Sequence, residues 1–274
     1  MVYTFNRSLD SAFELNTNSP LWVVDMAGTF FDDNNQGPLI AFKRAFKEKG
    51  IQVTPDQINR NMGRPKLEHI YLILNISDVN GQVQKYTNGD REKFQKLGRE
   101  LYQIFALKLP EAIKETVPIP GVREVAGQLK NRGDKLWLNT GYSKEIVRYI
   151  FSLPQFNWVK GVISGYVCSD DVTFDGVTRG RPYPDMIQHA MVVERVENPR
   201  EVLVIDDTLD GMMAADNNQS PSILVASGIY QHNLEEAINQ ARTLGRARCI
   251  METFASAGNL ALEGRLTEMV NKWP

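Results

Sequence analysis

The stretch LWVVDMAGTFFDD, residues 21–33, runs four apolar residues straight into one acid, Asp25. A short, near-continuous apolar run is the pattern of a strand buried on both faces of a parallel sheet. The carboxylate at its carboxyl end is what needs explaining. In open parallel sheets, ligands bind beyond that edge of the strands. Two residues later stands Ala27, which can do no acid–base work.

Working outward, KLWLN (135–139), GVISGYV (161–167), EVLVID (201–206) and SILVAS (222–227) repeat the apolar pattern. Amphipathic stretches lie between them at 121–133, 143–153 and 184–196. Strand–helix alternation at this spacing predicts right-handed βαβ units, hence an α/β fold with a Rossmann-like parallel sheet covered on both faces. From about 38 to 116 no strand pattern appears. PLIAFKRAFKEKG, PKLEHIYLILN and REKFQKLGRELYQIFALKL read as helices instead. The expected organisation is a core of residues 1–36 and 117–274 with an all-helical cap, 37–116, inserted after the first strand. DDNNQG (32–37) and VPIPG (117–121) supply loop-like hinges. Residues 1–20 read as a loosely attached N-terminal extension.

Of 274 residues, 42% are hydrophobic and 23% charged, which is ordinary for a globular protein. A net charge of −2 gives no electrostatic reason to expect nucleic acid or an anionic membrane as partner. No run approaches the ~20 apolar residues of a membrane helix, and the first twenty lack the apolar core of a signal peptide. Cys168 and Cys249 stand far apart without metal spacing, which suits a reducing compartment. The expectation is a cytoplasmic protein.

Three strand patterns end in polar chemistry: Asp25, then Asn139-Thr140-Gly141, then Asp206-Asp207 with Asp210 close behind. Parallel pairing would gather these groups at one edge. Crowded carboxylates repel unless a cation sits among them. Oxygen-only ligands suit Mg²⁺, which often bridges to a phosphoryl group.

These residues resemble a known family. Asp25-Met26-Ala27-Gly28-Thr29, Thr140 after a strand, Arg181 in GRPYP (180–184) and the acids at 206–210 follow the order of the haloacid dehalogenase superfamily. Alanine at position 27, NMGRPKLEHI (61–70) and NTGYS (139–143) resemble its phosphonoacetaldehyde hydrolases, with their M-G-x-x-K-x-x-H pattern. The resemblance implies cleavage of a carbon–phosphorus bond to acetaldehyde and phosphate. Asp25 would attack phosphorus and form an aspartyl phosphate. Lys66 would form a Schiff base with the aldehyde, and His69 would shuttle protons. Arg181 and Thr140 would hold the phosphoryl group, with Met62, Gly141 and Tyr142 lining the substrate pocket. Mg²⁺ would sit on Asp25, Asp206, Asp210 and the carbonyl of Ala27; Asp207 competes with Asp210 for the second acidic place. A homodimer through the cap helices is also implied.

The chemistry fits the residue types. A C–P bond has no oxygen leaving group for an acid to protonate, so an aspartic acid at position 27 would have no work. An iminium instead lets the departing electrons delocalise as an enamine. The amine must be partly neutral, and burial or a nearby positive charge lowers a lysine pKa. Lys66 and His69 flank a helical apolar stripe of Leu67, Ile70, Tyr71 and Leu74. Two other readings stand beside this one. One is a phosphatase on a small phosphate ester, which Ala27 disfavours. The other is a silent relative that binds a phospho-ligand, which Ile205 favours, because the family usually has glycine before the metal-site acid. The stretch CSDDVTFDGVTR (168–179) carries extra residues ahead of GRPYP.

Overall fold

A computed structural model describes residues 3–4, 20–31, 36–175, 177–244 and 249–266. The chain runs β1 (Tyr3–Thr4) and β2 (Leu21–Asp25), then five helices: α1 (Gln36–Glu48), α2 (Pro55–Asn59), α3 (Lys66–Leu74), α4 (Ser77–Thr87) and α5 (Arg91–Ile113). It continues with α6 (Val122–Arg132), β3 (Lys135–Thr140), α7 (Lys144–Ser152), β4 (Gly165–Cys168), β5 (Thr173–Phe174) and β6 (Val177–Thr178). The remainder is α8 (Asp185–Glu194), β7 (Val202–Asp206), α9 (Leu209–Asn217), β8 (Ser222–Val225), α10 (Leu234–Leu244), β9 (Cys249–Met251) and α11 (Phe254–Leu262).

The main sheet has the order β1-β9-β8-β7-β2-β3-β4. Every pair from β9 to β4 is parallel, and β1 is antiparallel to β9. The chain winds outward through β3 and β4, then returns to the other side of β2 through β7. The strand order therefore reverses beside β2, where a crevice opens at the carboxyl edge.

Pleating divides the core. Trp22, Val24, Leu203 and Ile205 pack on one face with α6 and α11 residues such as Leu129 and Phe254. Leu21, Val23, Val202 and Val204 pack on the other with Met186 and Ile187 of α8 and Ala214 and Ala215 of α9. Helices α1–α5 form the insertion between β2 and β3. Its centre is aromatic: the Phe42 ring lies 4.4 Å from Phe105 and 4.5 Å from the His69 imidazole, centroid to centroid. Among the described residues no helix is long and apolar enough to cross a membrane.

Local readings differ from the sequence in places. Tyr3 and Thr4 pair with β9, so this part of the N-terminal extension joins the sheet instead of hanging loose. Residues 161–167 yield only the four-residue β4; a 3₁₀ turn at Val159–Gly161 takes the beginning of that stretch. The extra residues before GRPYP form the β5–β6 hairpin, with Phe174 and Val177 exposed. The hinge residues 32–35 lie outside the described residues.

Candidate active site

Register and pleat assemble the acids. Val23 pairs with Val204 and Val24 with Ile205. One step further sets Asp25 beside Asp206, and the period of two turns both side chains to the α8 face, like Val23 and Val204. Asn139 follows Trp137 onto that face and pairs with Asp25. Arg181, just ahead of α8, enters from there and is almost fully buried. Its Nη2 donates to Asp25 Oδ1 and, at 3.0 Å, to the Asn139 carbonyl; Nη1 donates to Asp206 Oδ2 at 2.6 Å. Thr208 fixes the other Asp206 oxygen through its backbone N–H at 2.8 Å and its hydroxyl at 2.7 Å.

Asp207 completes the cluster. Oxygens of Asp25, Asp206 and Asp207 lie within 4.8 Å of one another, all buried. Asp207 Oδ2 accepts from the Ile229 N–H at 2.9 Å, while Oδ1 has no partner within the protein. The carboxylate is wedged between two glycines: a Cβ on Gly28 or Gly228 would fall 2.3 or 1.8 Å from Oδ2. Burial, then the charges of Asp25 and Asp206, pushes the Asp207 carboxyl well above the usual range. Burial lifts Asp206 to about 7, against the pull of Arg181, and raises Asp25 as well. With all three ionised, the acids would face one guanidinium with a surplus of two negative charges. The orphaned oxygen and that surplus fit a divalent cation on oxygen ligands.

The choice between Asp207 and Asp210 thus turns out differently from the sequence preference. The carboxylate grouped with Asp25 and Asp206 is that of Asp207. Asp210, in the first turn of α9, accepts from Arg64 Nε at 2.8 Å and Nη2 at 3.1 Å. Sequence spacing cannot separate the two, because the bend after β7 decides which acid turns back to the sheet edge.

The insertion brings Lys66 to the same place. It opens α3 behind Pro65 and is only 7% exposed. Lys66, His69, Ile70, Ile73 and Leu74 form the buried face of α3, while Leu67 and Tyr71 are only half-buried. The helix is therefore rotated from the stripe read in the sequence, since packing against other helices and the core, not hydrophobicity alone, sets its inward face. Asp25, Ala27, Met62, Lys66, Thr140, Gly141 and Tyr142 all line one cavity of about 20 Å³. Nζ of Lys66 sits 3.9 Å from Met62 Sδ and 5.3 Å from the Tyr142 ring centroid. Thr140 Oγ1 accepts from the Tyr142 N–H at 3.1 Å, fixing the turn that holds Gly141. Burial, aided by Arg181, lowers Lys66 to about 8, against the opposing fields of Asp25 and Asp207. This amine is partly neutral near physiological pH.

His69 is different. Burial, then the Lys66 charge, lowers it to about 3. A neutral imidazole donates from Nε2 to the Ile58 carbonyl at 2.7 Å, which leaves Nδ1 as an unpartnered acceptor. The ring is held as a poor base, a constraint on any proton-shuttling role.

Sequence reading passed over Asn139, Thr208 and Arg64 as site residues. The pattern T-x-x-G at 208–211 did carry a helix-cap signal for Thr208, whose Oγ1 accepts from the Gly211 N–H at 3.1 Å. The polar strand end Asn139-Thr140-Gly141 likewise carried Asn139 to the sheet edge, whereas no local signal marks Arg64.

A parallel sheet with a helical insertion behind its first core strand, and an acid at that strand's end, defines a class of hydrolase. The model of the haloacid dehalogenase-like hydrolases matches residues 21–217, and the chain belongs to that family. Curated relatives within it are phosphonoacetaldehyde hydrolases. That of Latilactobacillus sakei is 30% identical over 246 residues, covering 86% of this chain and 88% of the relative. That of Hahella chejuensis is 32% identical over 196 residues, 69% of this chain; the chain spans 62% of that relative's length. A crystal structure of a phosphonoacetaldehyde hydrolase-like protein from Oleispira antarctica shares the fold with a TM-score of 0.78 at 22% identity, covering 98% of both chains.

Proposed function

We propose that this hydrolase cleaves phosphonoacetaldehyde to acetaldehyde and phosphate. The observation that carries the reading is the shared cavity: a carboxylate, Asp25, and a partly neutral amine, Lys66, meet where Ala27 offers no acid. The relatives' names support the same substrate class. A phosphate ester would need a proton donor for its leaving oxygen at position 27, and alanine cannot serve.

In the proposed cycle, the Lys66 amine adds to the aldehyde carbon, a proton is taken up and water leaves, giving an iminium. Asp25 attacks phosphorus, and the C–P bonding electrons pass into the iminium as an enamine. Protonation of the enamine carbon and addition of water return the amine and release acetaldehyde. Water then releases phosphate from the Asp25 acyl phosphate. Arg181 keeps one donor, Nε, without a partner within the protein, and that donor suits a phosphoryl oxygen. Asp25, Asp206 and Asp207 would hold Mg²⁺, which when bound supplies positive charge against the phosphoryl oxygens.

The cavity has room for roughly one water. Substrate therefore requires the Lys66 loop to lift away and reseat. Borohydride trapping tests the reading. Phosphonoacetaldehyde should leave a reduced adduct on Lys66, and acetaldehyde and phosphate should appear together in equal amounts. The variant Lys66→Arg keeps the charge but forms no imine, so substantial C–P cleavage by it would overturn the mechanism.

A further inference from the structure

The loop carrying Lys66 meets the core at unusually close range. A Cβ on Gly63 would lie 2.7 Å from Thr208 Oγ1, and one on Gly141 would lie 2.7 Å from the Arg64 carbonyl oxygen. One on Gly180 would lie 2.7 Å from Pro65 Cγ. Backbone thus rests on backbone at Gly141, and on a side chain at Gly63 and Gly180. Such a fit is tight but cannot by itself choose the seated position over a lifted one.

Arg64 supplies the directional contact. Its Nε and Nη2 fork onto both oxygens of Asp210, and Nη1 donates to Glu68 Oε1 at 2.7 Å in the first turn of α3. A planar guanidinium on a carboxylate fixes orientation as well as distance. Among the described residues this is the only side-chain ion pair linking the inserted helices to the core. Its position matters too. Arg64 and Asp210 line an outer cleft of about 790 Å³ between insertion and core. Met62 and Thr208 line both this cleft and the small inner cavity. Those two residues mark the neck, and Arg64 and Asp210, each two positions beyond one of them, join across it on the outer-cleft side.

We propose that the Arg64–Asp210 pair is the gate between the outer cleft and the reaction cavity, and that Arg64 is the positioning residue that seats Lys66 beside Asp25. Lys66 lies two residues beyond Arg64, so the loop cannot lift its amine away while the fork is closed. The inference deepens the proposed function and rests on Lys66 acting in that cavity; its test uses no substrate.

The test reads access to Lys66. The full chain is treated with a small acetylating ester, and modification of Lys66 is followed by peptide mass spectrometry. Rates are compared on the high-pH plateau, where the amine is neutral in every variant. Arg64→Met should acetylate Lys66 about tenfold faster than the parent, and Asp210→Asn equally so. The double variant should be no faster than either single one, because one contact is lost in all three. Arg64→Lys, which keeps charge but not the fork, should fall between. The buried thiols of Cys168 and Cys249 should stay unreactive throughout, marking an intact core. Should Arg64→Met expose those thiols, the Arg64→Lys rate decides alone. An unchanged Lys66 rate in a folded variant, or single effects that multiply in the double, would overturn the gate. If the rates behave as expected while no aldehyde adduct ever forms, the gate stands and the catalytic reading fails.

Discussion

Arg181→Gln and Asp25→Asn should move the titration of Lys66 in opposite directions. The fall from an ordinary 10.5 to about 8 comes first from burial, then from the Arg181 charge, with Asp25 opposing both. At pH 7 a group of pKa about 8 is neutral in roughly one molecule in eleven, against about one in three thousand at 10.5. Burial and charge together thus raise the reactive amine about 300-fold, an effect worth roughly 3 kcal/mol. Removing the Arg181 cation takes away a destabiliser of the ammonium, so the midpoint climbs above 8. Removing the Asp25 anion takes away a stabiliser of the ammonium, so the midpoint drops below 8. At pH 7 a unit upward lowers imine formation about ninefold, whereas a unit downward raises it only about fivefold, because the amine is then already half neutral. Neither residue is needed to form an imine, so the assay is reductive trapping of acetaldehyde with cyanoborohydride across pH 6–10, read by intact mass. A parent midpoint near 10.5, or two variants that shift the same way, would refute the reasoning.

Lys66 should also cost stability. Its folded pKa lies below the unfolded one, so the unfolded chain binds more protons between pH 8 and 10.5, and stability rises with pH across that window. Lys66→Met should therefore be about 1–3 kcal/mol more stable to urea at pH 7, with the gap closing above pH 10. The acid cluster has the opposite sign. Asp206 is raised from 3.8 to about 7, so the cation-free fold loses stability as pH climbs through that range. Mg²⁺ should raise the Tm more at pH 8 than at pH 5, and equal shifts would contradict a carboxylate site. The His69 imidazole, lowered to about 3, should show no NMR titration between pH 8 and 5; its contribution to stability falls away only as pH drops from 6.5 toward 3. A midpoint near 6.5 would count against the buried neutral ring. Gly141→Ala should set a methyl against the Arg64 carbonyl, and at least a tenfold loss of phosphate release is expected with little change in Tm.

Much of the fold was legible along the chain. The runs ending at Asp25 and Asp206 are apolar at the four preceding positions, which suits strands covered on both faces, and the gap from 38 to 116 carried only helical periodicity. β9 was not, because its three residues offer too short a pattern, and Tyr3–Thr4 pairs with it only through tertiary contact. Chemistry-bearing residue types were also legible: an acid at a strand end, alanine two places on, a lysine and a histidine three apart.

The sequence by itself determined which side chains are available and which strands carry them, because local patterning decides secondary structure and strand ends. Only the tertiary structure decided that Asp207 joins Asp25 and Asp206 while Asp210 turns to Arg64, that α3 rolls Lys66 inward, and that Arg181 lies among the acids. Register, helix rotation and the bend after a strand depend on contacts outside each element, from Phe42 against His69 within the insertion to Arg64 on Asp210 across the seam, and the element's own pattern does not encode them. The lowered Lys66 pKa has the same origin, since it arises from burial and from a charge supplied by a distant part of the chain.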